Sequence, residues 1–359
     1  MAGFSDEEIL IFGLMDCPEE SVMDFISKEL NRRVLRPHLN GPQRHVLADK
    51  WATQALLASI GVPVPKLYGL YHPRLGMTAA GEPLTTPHEC AELIRGELPC
   101  RLFLKPRGGQ QGQDVRVVDV APDPDGIPCA SSAAGTQSLA AFLDALPMEA
   151  GEGHGRSCEG YLVQGFIEQH PAVAAFNPWS VNTVRIITFR RLSGEVTIDA
   201  AFLRTGRAGA QIDNWSQGGL VADVDLATGA VTRAFGSLKH EAPRQVATHP
   251  DSGVAFEGFV LPDWPRALDA CSKAARVFSG VRWIGWDVAM TPAGPVIVEG
   301  NSDWSIATQL VNGAYLGPGR RAELEREIAL PDRLPSLPRA FARVVRRELR
   351  RGRRWVLRG

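Results

Sequence analysis

No long apolar run, no paired-cysteine motif and no excess of either charge mark this chain of 359 residues. Each absence excludes something. The N-terminal apolar run Ile9–Met15 is seven residues long, against roughly 20 needed to cross a bilayer. The six cysteines, at 17, 90, 100, 129, 158 and 271, form no Cys-x-x-Cys pair. They read as buried thiols in a reducing compartment, and His154 with Cys158 makes only half a metal site. A net charge of −1, with 44% hydrophobic and 22% charged residues, excludes wholesale disorder, collagen and coiled coil. No internal repeat at solenoid periods is present. The opening residues MAGFSDEEIL are acidic where a secretory signal is basic, so a cytoplasmic location is expected. The Walker A spacing and the dinucleotide fingerprint are both missing.

What charge there is lies unevenly. Between Pro335 and Gly359 there are nine arginines and one acid, Glu348. Phe341, Val344, Val345 and Leu349 give this stretch the pattern of a basic amphipathic helix. Such a helix either packs on the body of the protein with a solvated face, or docks on an anionic membrane surface or a protein partner. Peripheral attachment to the inner membrane face and homo-oligomer formation are both compatible with it, and no specific nucleic-acid motif accompanies it.

The pattern along the chain predicts an α+β architecture. Residues 5–57 read as helices with short breaks, one of them at Asn40-Gly41-Pro42, and Gly61 caps the last before the extended Val62-Pro63-Val64-Pro65. Thr86-Pro87-His88-Glu89 combines an N-cap, a first-turn proline and a capping-box acid. Leu102-Phe103-Leu104 is a short apolar strand ending at Lys105, followed by the glycine-rich loop Gly108-Gly109-Gln110-Gln111-Gly112 and a strand over 115–120. Residues 121–160 read as a surface excursion with one short helix near 139–146. Strands follow at 161–167, 181–190 and 196–205, a hairpin about Ala227-Thr228-Gly229, a helix over 265–278 and a final hairpin over 283–301. The expected division is a helical region 1–45, a small lobe 46–160 containing the excursion, a large antiparallel lobe 161–312 and a basic tail 313–359.

The last hairpin carries the densest chemistry. If Pro292-Ala293-Gly294 is a three-residue loop with Gly294 left-handed, Thr291 pairs with Pro295 and Asp287 stands opposite Glu299. Side chains alternate along a strand, so Asn301 joins the same face. Two carboxylates and an amide oxygen make a hard-oxygen set of the kind Mg²⁺ takes. The other reading is a surface hairpin with incidental acids, and a four-residue loop would turn Asp287 away. Lys105 with the glycine loop can cradle phosphate through backbone N–H groups and a point charge, or be an ordinary turn. Arg185 and Arg204 sit within apolar strands, where each either faces solvent or needs an anionic partner.

In this order the segments resemble the ATP-grasp superfamily over residues 46–312. Asp49-Lys50 with its helix, Phe103-Leu104-Lys105-Pro106 with the glycine loop, Tyr161-Leu162-Val163-Gln164-Gly165-Phe166-Ile167, and Asp287…Glu299-Gly300-Asn301 are similar to its phosphate lysines, flexible lid, adenine hinge and metal motif. The spacing of the metal motif is that of ribosomal-protein glutamate ligases. A closer likeness is to the sugar-transfer-associated ATP-grasp branch, carried by Ser180-Val181-Asn182-Thr183-Val184-Arg185, Asp213-Asn214 with Gly218-Gly219, and Gly285-Trp286-Asp287.

The resemblance implies two lobes clamping ATP, with a helical N-terminal extension. It implies that Lys50 and Lys105 contact the phosphates, that Gly108, Gly109 and Gly112 close over them, and that Gln164, Gly165, Phe166 and Ile167 hold adenine, with Glu168 at the ribose. Asp287, Glu299 and Asn301 would hold Mg²⁺, as two ions, and Arg185, Arg204 and Lys105 would serve catalysis. The implied activity is a carboxylate–amine (or thiol) ligase that passes through an acyl phosphate and releases ADP and phosphate. Its setting would be specialised-metabolite or cell-surface polysaccharide biosynthesis. A phosphotransferase and a non-catalytic ATP-binding scaffold are the alternatives. D-alanine ligases, which are similar over the same core, carry an arginine where this chain has Gly285, so its role would pass to Arg185, Arg204 or Arg282. The residues after Asn301, Ser302-Asp303-Trp304, also depart from those ligases, which leaves the carboxylate and the amine unnamed.

Overall fold

The computed structural model describes residues 3–108, 114–132, 135–148, 160–209, 218–236, 242–306, 309–317 and 319–328. Gly109, Gly112, His154, Cys158, Asp213, Asn214 and the arginine-rich segment 335–359 lie outside the described residues. The chain divides into two compact units, one of 45–170 with 288–300, the other of 1–44, 171–287 and 301–359.

In the unit built on 45–170, the described residues form one antiparallel sheet of β1 (Leu67–Tyr71), β2 (Met77–Thr78), β3 (Cys100–Pro106), β4 (Arg116–Pro122), β5 (Pro128–Ser132), β6 (Gly135–Ser138) and β7 (Tyr161–Gly165). Their order is β2-β1-β7-β3-β4-β5-β6. Alternation along the strands sorts their two faces. Leu102, Leu104, Val118, Val120, Tyr161 and Val163 pack with Cys90, Ile94, Phe142 and Leu143 into one core. Phe103 pairs with Gln164 and Lys105 with Leu162, so these four share the opposite face. The helix Pro87–Ile94 begins at the expected capping box, with Thr86 accepting from the Glu89 amide. Lys50–Ser59 begins at Asp49, which caps the amides of Trp51 and Ala52, and the chain turns out of it at Gly61 with φ 68°.

Two expectations are corrected here. Residues 121–160 are more than a surface excursion, because β5 and β6 extend the sheet by pairing with β4 and with each other. The expected boundary at 161 also falls elsewhere. The fully buried run Tyr161-Leu162-Val163 needs partners on both edges, and β7 finds them in β1 and β3, within this unit.

The second sheet comprises β8 (Thr183–Arg190), β9 (Val196–Thr205), β10 (Leu220–Val224), β11 (Val231–Gly236), β12 (Arg244–Val246), β13 (Trp283–Thr291) and β14 (Gly294–Asn301). Their order is β12-β11-β10-β9-β8-β13-β14, and the division between units passes through the β13–β14 hairpin. The helix Trp264–Val277 packs its alanine-rich face, Ala267, Ala270, Cys271 and Ala274, against β8 and β9. On the other side, Phe189, Phe202, Trp283 and Trp304 pack with Leu30, Leu35 and Leu39 from the N-terminal segment. That segment is more broken than expected. It yields the short helices Glu19–Val22 and Lys28–Leu30, with Ser27 capping anew before a π-helical turn at Asn31–Leu35. Among the described residues no helix is long and apolar enough to cross a membrane.

Candidate functional site

Arg185 and Arg204 answer the question that an arginine in an apolar strand poses. Arg185 stands opposite Phe202, and Arg204 opposite Thr183, so the two are diagonal neighbours on one face. Both are 7% exposed, which excludes the solvent-facing reading. Their partner is Asp287 on β13, itself buried. Arg185 donates from Nε to Oδ1 and from Nη2 to Oδ2 at 2.9 Å, and Arg204 donates from Nη1 to Oδ1 at 3.0 Å. The third arm of Arg185, Nη1, reaches the carbonyl of Trp304 at 3.2 Å. Two guanidinium groups thus converge on one buried carboxylate.

Gly285 makes the arrangement sterically feasible. A Cβ at that position would stand 2.9 Å from Arg185 Cδ and 2.9 Å from Trp304 Cβ. The glycine two residues before Asp287 is therefore the space through which Arg185 lies. Arg282, the third candidate for the displaced arginine's role, is committed elsewhere. It pairs with Glu327 and donates to the carbonyls of Glu327 at 2.6 Å and Arg190 at 2.8 Å.

Asn301 donates from Nδ2 to Asp287 Oδ2 at 3.4 Å, so these two side chains share a face. Gly294 has φ 118° and is the first residue of β14, not the end of a separate three-residue loop. Glu299 lies two residues before Asn301 along β14, on the same side of the strand by alternation. These donors are all oxygens. Among the described residues no group of three His, Cys, Asp or Glu gathers to hold a metal. An ion here would take the Asp287 carboxylate, the Asn301 amide oxygen and oxygens supplied by a phosphate. That is the coordination habit of Mg²⁺, and the residues fit it.

In the other unit, Lys105 is 5% exposed at the end of β3. Burial, opposed by the charge of Glu299 and reinforced by that of Lys50, brings its pKa down to about 8. Its Nζ rests on the carbonyl of Val298 at 3.4 Å. Lys50 is the first residue of its helix, and the capping Asp49 also takes a bidentate bond from Arg107, just past Lys105. Burial alone would raise the Asp49 carboxyl, but Arg107 and the amides of Ala52 and Trp51 hold it below the usual carboxylate range. Gly108 follows, with nothing within 4 Å of where a Cβ would stand.

In the hinge segment Gln164 is buried and its side-chain amide donates to Gln54 Oε1. The Gly165 N–H donates to the Lys66 carbonyl and the Phe166 N–H to the Arg101 carbonyl, each at 2.9 Å. What these residues can offer a ligand is their carbonyl groups and the ring of Phe166, which is partly exposed with the Arg101 guanidinium 5.1 Å from its centroid. Ile167 and Glu168 follow in the loop, Glu168 exposed.

Of the branch motif before Arg185, Asn182 is structural. It ties the carbonyls of Val173 at 3.1 Å and Asn177 at 2.8 Å, holding the turn that leads into β8. Sequence reading passed over Gln54, Arg107 and the Trp304 carbonyl. Only Gln54 carried a signal, as a polar residue on the buried side of a mostly apolar helix.

The family model described as sugar-transfer associated ATP-grasp matches residues 29–323. The chain belongs to the sugar-transfer associated ATP-grasp family. Its fold is accordingly that of ATP-grasp proteins, α+β as expected. Solved structures similar to it include the biotin carboxylase domain of 2-oxoglutarate carboxylase from Hydrogenobacter thermophilus, with MgADP, ADP and bicarbonate. It is 12% identical, with 76% of this chain and 46% of that one covered and a TM-score of 0.42. The D-alanine–D-alanine ligase of Bacillus anthracis is 13% identical, over 79% of this chain and 66% of that one, at 0.40. The N5-carboxyaminoimidazole synthase of Aspergillus clavatus, with ADP and 5-aminoimidazole ribonucleotide, is 12% identical, over 82% and 54%, at 0.39. This ATP-grasp chain thus spans about half the length of the carboxylase it matches. No curated protein matches it.

Proposed function

We propose that this ATP-grasp protein is an ATP- and Mg-dependent carboxylate–amine ligase working through an acyl phosphate. The observation that carries the reading is the buried pair of guanidinium groups on Asp287. Buried cationic side chains beside oxygen donors suit a transferring phosphoryl group, because its chemistry is mostly positioning and charge neutralisation.

On this reading Lys105 and Lys50 hold the polyphosphate, with Gly108 at the start of the loop beside it. Asp287, Glu299 and Asn301 would hold Mg²⁺, which would supply charge neutralisation to the phosphate oxygens. A carboxylate oxygen of the donor attacks the γ-phosphorus, forming the acyl–O–P bond as the β,γ O–P bond breaks and its electron pair leaves on ADP. An amine then attacks the acyl carbon, inorganic phosphate departs and the amine proton passes to solvent. Arg185 and Arg204 offset the negative charge of the donor and of the acyl phosphate in turn. The family's association with sugar transfer supports a role in biosynthesis of surface polysaccharide or a specialised metabolite.

The test is oxygen-18 in the donor carboxylate, once a turning-over donor is identified from a pool of carboxylates and amines by ATP-dependent mass change. The label should appear in the released phosphate. Label kept wholly in the product, or a stable phosphorylated product in place of a condensation product, would overturn the ligase reading.

A further inference from the structure

Gln54 sits within Trp51-Ala52-Thr53-Gln54-Ala55-Leu56-Leu57 and is 1% exposed. A buried primary amide must find partners for its oxygen and its nitrogen. Its Oε1 accepts from Gln164 Nε2 on β7, and its Nε2 donates to the carbonyl of Val298 on β14 at 2.9 Å. The same carbonyl receives Lys105 Nζ from β3. A carbonyl oxygen has two lone pairs, so one peptide group is shared by an amide and an ammonium. The next residue along β14 is Glu299, whose charge acts on Lys105.

Filling the space between the helix and β7 does not require a glutamine. Methionine has nearly the same length and volume and no polar group to satisfy. What the amide adds is direction: Gln164 anchors its Oε1, and its Nε2 holds the Val298 carbonyl that also takes Lys105 Nζ.

We propose that Gln54, held in turn by Gln164, is a positioning residue for Lys105, fixing its ammonium through the Val298 carbonyl where nucleotide phosphate is received. The inference rests on the reading of Lys105 as a phosphate contact. Gln54 itself touches no substrate.

The test is a double-mutant cycle in affinity for the Mg-bound β,γ-imido analogue of ATP, measured calorimetrically on the full chain. Gln54→Met is expected to weaken binding about tenfold and Lys105→Met about a hundredfold. The double variant should be no weaker than Lys105→Met within about twofold, because residues acting through one contact are not additive. A purely structural Gln54 would lower the melting temperature without this coupling. Wild-type affinity in Gln54→Met, or effects that multiply in the double variant, would overturn the proposal. Should Gln54→Met fail to fold, Gln164→Met takes its place in the same cycle, with about threefold weakening and the same coupling expected. If Lys105→Met binds the analogue as the wild type does, the phosphate-contact reading itself fails and takes this inference with it.

Discussion

Arg185 grips Asp287 along both edges of the carboxylate, through Nε and Nη2, with each side chain less than a tenth exposed. The pair is buried, cross-strand and reinforced by Arg204, so it differs in kind from the many surface ion pairs of the chain. Exposed pairs such as Lys28–Glu7 contribute little. A buried pair with one partner removed leaves an uncompensated charge.

Asp287→Asn should therefore be felt twice. It removes the charge that two buried guanidinium groups share, at a cost of roughly 3 kcal/mol in stability, and it removes a carboxylate from the donor set. A thermal melt and a turnover assay check this together. The expected outcome is a clearly lowered melting temperature with activity lost by more than about a thousandfold. A variant with wild-type stability would show that the pair is not formed as described.

Gly285→Ala isolates the geometry from the charge. The added methyl meets Arg185 Cδ and Trp304 Cβ at 2.9 Å, so one must move. Overpacking of this kind costs about 1–3 kcal/mol. Because the arginine is displaced from Asp287, turnover should fall by at least tenfold. Unchanged kinetics would mean Arg185 does not need that path.

The lowered pKa of Lys105 gives two pH effects of opposite sign. In the free protein its value of about 8 lies below the ordinary 10.5, so the unfolded chain binds more protons between those values and folding stability rises as pH goes from 8 to 10.5. The contribution to nucleotide binding runs the other way. The ammonium is the phosphate-binding form, so affinity should fall above pH 8, approaching tenfold per pH unit. Denaturant melts and calorimetric titrations across pH 7–10 check both. Lys105→Arg, which stays charged, should flatten the binding profile.

Asp49→Ala removes an N-cap and the Arg107 contact in one step, since Asp49 accepts from Trp51, Ala52 and Arg107. A loss of about 1–2 kcal/mol is expected, together with weaker nucleotide binding as the start of the Lys50 helix loosens. Asp49→Asn should restore most of the stability, because it still caps, and less of the binding. Equal recovery of both would separate Arg107 from the site.

Local rules carried far in this chain, and non-local pairing is where they stopped. The capping box at Thr86 and the bounds of β9 could be read directly, because cap chemistry and strand alternation are properties of contiguous residues. β5 and β6 could not, since Ala130-Ser131-Ser132 and Thr136-Gln137-Ser138 carry weak strand patterns and gain their form from β4. At the site, the residue types were legible and their partners were not. Arg185, Arg204 and Asp287 each stood out alone, but that the arginines meet the aspartate, and that Gly285 makes room, depends on strands far apart in sequence. The side-chain partner of Gln164 was hidden for the same reason, Gln54 lying 110 residues away.

The most direct test of the account is calorimetric binding of the β,γ-imido analogue of ATP at pH 7, with and without Mg²⁺, to the wild-type chain, Lys105→Met and Asp287→Asn. The account predicts one site per chain in the presence of Mg²⁺, weakened about a hundredfold or more when Mg²⁺ is withheld and in either variant. Binding that is equally tight without Mg²⁺ and in both variants would contradict it.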